Sequence, residues 1–266
     1  MGACSLKGDF YNKIMNSQRH GRPVFYPVLG LVAGLLLSSC TAVTPMPTVR
    51  RTTYPRPATR RDIVHTIAPG ETLWRISKMY SVPIAMIMCT NRLASRTDIK
   101  YGQKLLIPEA APIEPVISLF PNDKWKYIII HHSATEGGSS LQFHEYHLKK
   151  GWDHGVGYHF VIDKGASNKQ DGQIETTPRW LKQQDGAHCK ADDMNTRAIG
   201  ICLVGNFNHE KVSAAQMRSL VMLVNKLKHY YQIPRSHILG HRDVKGSCTE
   251  CPGRHFPWER FLRQID

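Results

Sequence analysis

Three short stretches of this 266-residue chain, far apart in sequence, carry side chains suited to holding a transition metal. They are Ile128-Ile129-Ile130-His131-His132-Ser133, Gly240-His241-Arg242-Asp243 and Glu250-Cys251-Pro252-Gly253. A catalytic zinc commonly takes three His, Cys or carboxylate ligands and keeps a fourth position for water. Bound zinc lowers the pKa of that water toward about 7 and polarises a carbonyl, so such a set could direct hydroxide at an amide at neutral pH. His131 and His132 are neighbours at the end of an apolar strand, where successive side chains point to opposite faces, so only one of them can face a metal. A zinc-bound thiolate is held deprotonated by the metal, which makes Cys251 a ligand and not a nucleophile. Three plainer readings compete: satisfied core histidines, a Cys248/Cys251 redox pair, and half of a zinc ribbon. The redox pair lacks a strand-CxxC-helix setting and the ribbon lacks a second CxxC. In His144-Glu145-Tyr146-His147 the histidines are three apart, not the four of a metalloprotease helix. They read as lining one helix face, with His147 and Trp152 bordering a cleft.

The elements that must position these groups are β-rich apolar runs and one long helix. Strands are expected at Lys126–Ile130, Tyr158–Ile162 and Ala198–Val204, with a short strand at Ser236–Leu239 leading into His241. Ser213 caps a helix reaching about Tyr231, with Met217, Leu220, Val221, Val224 and Leu227 at helical spacing as a core stripe.

Together with Gly157-Tyr158-His159-Phe160 and Gly186-Ala187-His188, these stretches resemble the zinc-dependent N-acetylmuramoyl-L-alanine amidases of the phage-lysozyme and peptidoglycan-recognition-protein type, from about Asp123 to about Phe261. The resemblance implies an α/β fold with a mixed central sheet flanked by helices, and a Zn2+ cofactor held by His131, His241 and Cys251. It leaves His132 in the wall behind the metal. By the same likeness Tyr158 stabilises the tetrahedral intermediate and assists proton transfer, and His188 contacts substrate. Thr249 stands where the phage enzymes carry a lysine and several active recognition proteins a threonine, which implies polar orientation of the scissile carbonyl. The implied reaction is hydrolysis of the amide joining N-acetylmuramic acid to L-alanine in peptidoglycan. The alternatives are a peptidoglycan-binding protein that does not cleave, or a zinc peptidase acting on wall peptides. In the recognition proteins loss of the cysteine ligand marks non-enzymes, and here Cys251 is present. The Gly-Tyr-x-Phe and Cys-Pro-Gly contexts argue against a peptidase.

Upstream, Gly70-Glu71-Thr72-Leu73 and Gly102-Gln103-Lys104-Leu105-Leu106-Ile107-Pro108 frame a small strand-helix-helix-strand pattern. Leu73, Ile76 and Tyr80 share a helix face capped by Thr72, a second helix runs near Ile84–Asn91, and Val64–Ile67 and Lys104–Ile107 are the strands. The pattern resembles a LysM module, a βααβ unit that binds N-acetylglucosamine-containing glycans. That likeness implies sugar contacts from Gly70, Glu71, Thr72 and the stretch beginning at Asn91. Cys89 is expected to fill core, and Cys202, inside a strand, to be buried and free.

Charge and the amino terminus bound the setting. The chain is basic, with a formal net charge of +14, and remains so without residues 1–39, which hold Lys7, Lys13, Arg19 and Arg22 against Asp9. A basic surface favours polyanions in general, including the carboxylate-rich peptides of a bacterial wall. No RNA- or DNA-reading signature accompanies it, so nucleic acid is not an expected partner. After Arg22 an apolar run from Val28 to Leu37 leads into Ser38-Ser39-Cys40. Ten helical residues span about 15 Å against a hydrocarbon core of about 30 Å, which suits a signal-peptide core and not a spanning helix. Leu37-Ser38-Ser39-Cys40 resembles a bacterial lipobox, which implies cleavage before Cys40 and acylation there. The expected organisation is a lipoprotein signal over 1–39, a Pro/Thr/Arg-rich tether over 40–62, the LysM module over 63–108, a Pro-bearing linker over 109–122 and the amidase domain over 123–266. The expected location is the bacterial envelope, lipid-anchored to the outer membrane and facing the periplasm. Cys40→Ser in the full-length chain is expected to abolish acylation and move the protein out of the membrane fraction; a protein found soluble with Cys40 intact would contradict the anchor.

Overall fold

The computed structural model describes residues 59–265; the signal segment, Cys40 and most of the tether lie outside them. The first elements are β1 (Arg61–Thr66), α1 (Leu73–Tyr80), α2 (Ile84–Thr90) and β2 (Lys104–Ala110), with β1 and β2 paired antiparallel. The Thr72 hydroxyl accepts from the Arg75 amide and caps α1. The stripe of α1 closes a core of Leu73, Ile76 and Tyr80 with Ile87, Leu105 and Ile107. Cys89 is exposed near the end of α2 and takes no part in that core. The tether reading over 40–62 runs too far, because β1 begins at Arg61 and Arg60 donates to the Glu109 carbonyl at 3.0 Å.

The second set is β3 (Tyr127–His132), α3 (Ser140–Lys149), β4 (Phe160–Lys164), β5 (Asp171–Thr176), α4 (Pro178–Leu181), α5 (Met194–Arg197), β6 (Ala198–Leu203), α6 (Ala214–Tyr231), β7 (Ile238–Gly240) and α7 (Trp258–Leu262). Five strands form one mixed sheet in the order β5-β4-β6-β3-β7. β3 runs parallel to both β6 and β7, β4 is parallel to β6, and β5 closes the edge antiparallel to β4. Helices on both faces explain why Ile128, Ile129, Ile130 and all of β6 are buried and read as continuous apolar runs. Ser213 and Gln216 form a capping box at the start of α6, whose Met217, Leu220, Leu223, Val224 and Leu227 enter the core. Tyr158 precedes β4 instead of lying inside a strand.

Residues 109–122 pack against both sets of elements, so they do not behave as the expected linker. The Ala111 and Glu114 amides donate to the Tyr80 and Met79 carbonyls, both at 2.9 Å. Ile117 joins the sheet core, the Trp180 indole donates to the Ser118 carbonyl, and the Tyr231 hydroxyl donates to that of Phe120.

The module also docks on the β4-β5 edge through buried charge. Arg75 donates to the Thr176 hydroxyl at 2.6 Å, and Lys169 Nζ reaches the Thr66 carbonyl at 3.1 Å and Glu175 at 2.9 Å. Burial alone would raise the Glu71 pKa, but His65 at 2.8 Å, Lys169 and the Ala68 amide more than offset it and hold the carboxyl at about 2. Asp163, fully buried on β4, has its carboxyl pushed well up by burial and then by Glu175 beside it. Removing one partner of a buried ion pair costs about 3–5 kcal/mol, and Lys169→Met is expected to lose that much stability at neutral pH. Burial already holds the Asp163 carboxyl above its ordinary pKa, and loss of the ammonium removes a charge that opposes this shift, so the deficit should shrink as pH falls through the carboxylate range. Denaturant titrations at several pH values would check this; a deficit under about 1 kcal/mol would show the seam to be solvated.

Candidate active site and metal centre

β3 ends between β6 and β7, and its alternation sends His131 and His132 to opposite faces. His132 Nδ1 accepts from the Phe207 amide at 3.1 Å, which places it in the wall. His131 turns to the other side, where its ring centroid lies 4.7 Å from that of His241 and 5.3 Å from that of Tyr158. Candidate donor atoms of His131, His241 and Cys251 all lie within 4.8 Å of one another, the one such cluster among the described residues.

The loop carrying Cys251 is tied to the turn carrying His241. The Arg242 amide donates to the Cys251 carbonyl at 2.8 Å and its guanidinium to that of Gly253 at 3.2 Å. The His132 amide points at Cys251 Sγ from 3.4 Å, the sort of contact that favours a thiolate. Ligands of one tetrahedral zinc, at about 2.0–2.1 Å for nitrogen and about 2.3 Å for sulfur, stand about 3.6 Å apart. Cys251 Sγ and His131 Nδ1 are 3.6 Å apart. The donor set therefore fits zinc in both type and spacing. Burial, reinforced by His188 and His241, holds His131 well below the usual imidazole pKa, in the neutral form a metal requires. Burial also pushes the Cys251 thiol up to about 12, so without a metal it offers no nucleophilic thiolate at neutral pH.

Tyr158 lies over this cluster. Burial and the nearby thiols Cys202 and Cys251 push its phenol well above its usual pKa, which keeps it a proton donor. Thr249 is exposed, and its hydroxyl accepts from the Cys251 amide at 3.1 Å, leaving its own proton free. His144 and His147 bond inward from α3: Val156 and Gly157 amides donate to their Nδ1 atoms at 3.4 and 3.2 Å. The His147 ring lies tilted against that of Trp152 at 4.3 Å and stands 6.3 Å from the Tyr158 ring, so it borders the cleft.

His188 is buried behind His131, with His131 Nε2 and His188 Nδ1 3.0 Å apart. The substrate contact implied for it is therefore replaced by a contact with a candidate ligand. Gly70 and Glu71, with Ile99, Lys100 and Tyr101, line a cleft of about 600 Å³. The Glu71 Oε2 atom is taken by His65 and Ala68, and Asn91 spends its amide on the Ile87 carbonyl and on both backbone groups of Leu106, all at 2.8 Å. Those two side chains hold the module's own backbone and His65, a structural role beside the glycan contact expected of their loops; Thr72 stays exposed beyond its capping role. Sequence reasoning missed Asp163, Lys169 and Glu175. Their one local signal is a charge following the apolar Phe160-Val161-Ile162.

Comparison with known proteins identifies the family. A family model described as N-acetylmuramoyl-L-alanine amidase matches residues 121–254, and a LysM domain model matches 65–108. Peptidoglycan-recognition protein SC1a of Drosophila melanogaster is 33% identical over 139 residues, covering 48% of this chain and 68% of the relative. The endolysin of Enterobacteria phage K11 is 27% identical over 50% of this chain and 83% of the relative. Among solved structures, the N-acetylmuramoyl-L-alanine amidase LysC from Clostridium intestinale URNW is 36% identical over 53% of this chain and 85% of that one, with a TM-score of 0.45. The chain belongs to the N-acetylmuramoyl-L-alanine amidase family and carries a LysM domain ahead of its amidase domain.

Proposed function

We propose that this chain hydrolyses the amide between N-acetylmuramic acid and L-alanine in peptidoglycan, using Zn2+ held by His131, His241 and Cys251. The observation that carries this reading is the three-donor cluster with its 3.6 Å nitrogen-to-sulfur spacing. When bound, zinc supplies an acidified water and polarises the scissile carbonyl. The protein supplies the rest. Tyr158, neutral and beside the cluster, donates toward the oxygen on which charge builds, where a placed donor acts without reorganisation. Thr249 offers a second, uncharged donor at the open side. Its lack of charge leaves more of the stabilisation to Tyr158 and the metal. Cleavage yields a carboxylate on the muramic acid side and a free L-alanine amine on the peptide, and the amine needs a proton that Tyr158 is placed to pass on. The LysM cleft would hold the glycan, and acylated Cys40 would keep the chain at the bacterial outer membrane.

His241→Ala and Cys251→Ala are each expected to lose stoichiometric zinc and turnover together. Digestion of purified sacculi followed by mass spectrometry should release stem peptides with free L-alanine amino termini. Full turnover by metal-free protein, or cuts confined to peptide–peptide bonds, would sink the reading.

Tyr158→Phe deletes one hydroxyl and no ligand. Zinc content should be unchanged while kcat falls by about 10²–10³-fold, the range for loss of one placed donor. Turnover at the parental rate would make Tyr158 a packing residue.

A further inference from the structure

His188 occupies a slot that leaves its ring one orientation. A Cβ at Gly186 or at Gly200 would come within 2.3 Å of its Cδ2, so both walls require glycine. Its backbone is equally fixed: the His188 and Cys189 amides both donate to Asn195 Oδ1 at 2.8 Å, and the Ala187 amide donates to the Gly157 carbonyl at 2.9 Å. The neighbouring His159 does not compete for it, because His159 Nδ1 accepts from the Gly200 amide and its Nε2 donates to the Gln184 carbonyl.

The polar atoms around His188 then determine where protons sit. Its Nε2 faces the Ala198 carbonyl at 3.3 Å, and a carbonyl only accepts, so Nε2 carries hydrogen. A buried imidazole with no carboxylate partner holds a single proton. His188 Nδ1 is therefore a bare acceptor, and the atom facing it at 3.0 Å is His131 Nε2. His131 must place its own proton there, which leaves its Nδ1 lone pair pointing at Cys251 Sγ.

From this relay we propose that His188 is a positioning residue: it fixes His131 in the Nε2–H tautomer and so presents the Nδ1 lone pair to the metal. The proposal rests on the zinc reading of the cluster but assigns His188 a role distinct from substrate contact. A partner that fixes the tautomer and orientation of a ligating histidine typically accounts for 10–100-fold in metal affinity.

Two variants and one direct measurement test it. His188→Leu removes the acceptor and leaves a buried N–H unpaired unless His131 moves its proton to Nδ1, where it blocks ligation. His188→Asn offers a side-chain oxygen near the former Nδ1 position. Zinc affinity, read by chelator competition on full-length protein, should fall about 10–100-fold in the Leu variant and be substantially restored in the Asn variant. In the metal-free parent, 15N NMR of the His131 ring should report a protonated Nε2 and a bare Nδ1. That measurement stands even if the Leu variant fails to fold, and the affinity readout stands even if the protein proves to bind wall fragments without cutting them. Undiminished zinc affinity in the Leu variant, with or without a raised KM, would overturn the proposal, as would an Nδ1-protonated His131 in the parent.

Discussion

Because β3 is held between β6 and β7 by two parallel ladders, its last two side chains cannot exchange faces, and the centre is built on that constraint. A one-residue slip would swap every side chain of the strand from one face to the other. His131 would then point into the wall and His132 into the cleft. In the register present, each histidine has its own task. His131 turns to the cluster, while His132 accepts from the Phe207 amide and, through its own amide, faces Cys251 Sγ. The His255 amide in turn donates to the Phe207 carbonyl at 2.8 Å, so the loop beyond Cys251 leans on the backbone that His132 fixes.

Electrostatics at the cluster follow from the same burial. Away from solvent, the imidazole of His131 is held neutral and the Cys251 thiol protonated until a cation arrives. Under the proposed zinc reading, metal entry would displace a proton from sulfur but none from nitrogen. The phenol of Tyr158 is protected by that environment too, since the apolar and thiol-rich wall that raises its pKa keeps its proton available for donation.

What could be read from sequence is what local chemistry encodes. The three stretches carrying the candidate metal donors stand out because histidines and a cysteine terminate apolar strands or Pro-Gly loops, and α6 is announced by Ser213 and a helical stripe. The LysM elements follow from one capped helix and two short strands, and only their ends shift. The failures are long-range. Residues 109–122 look like a linker because prolines interrupt their pattern, yet Ile117 and Phe120 gain partners on elements more than fifty residues away in sequence. The partners of the Glu71 and Asn91 side chains are likewise not announced locally, and only the fold supplies His65, Ala68, Ile87 and Leu106 beside them. His188 shows the same limit in another form: its family resemblance points to substrate, whereas the glycines on either side of its ring bring it up against His131.

The seam between the LysM elements and the β4-β5 edge changes what modularity means for this chain. Sequence suggests a carbohydrate-binding cassette joined to an enzyme, and cassettes of that kind are expected to be portable. Here the enzyme's edge carries a buried acid pair and an ammonium whose compensation comes partly from the cassette's own Thr66, Glu71 and Arg75. A foreign LysM grafted at the same point would bring its glycan cleft but not those groups, leaving Lys169 and Glu175 against a wall with the wrong complement. Recombination of this domain pair is thus constrained at the seam, and the two halves must change together even where neither touches substrate.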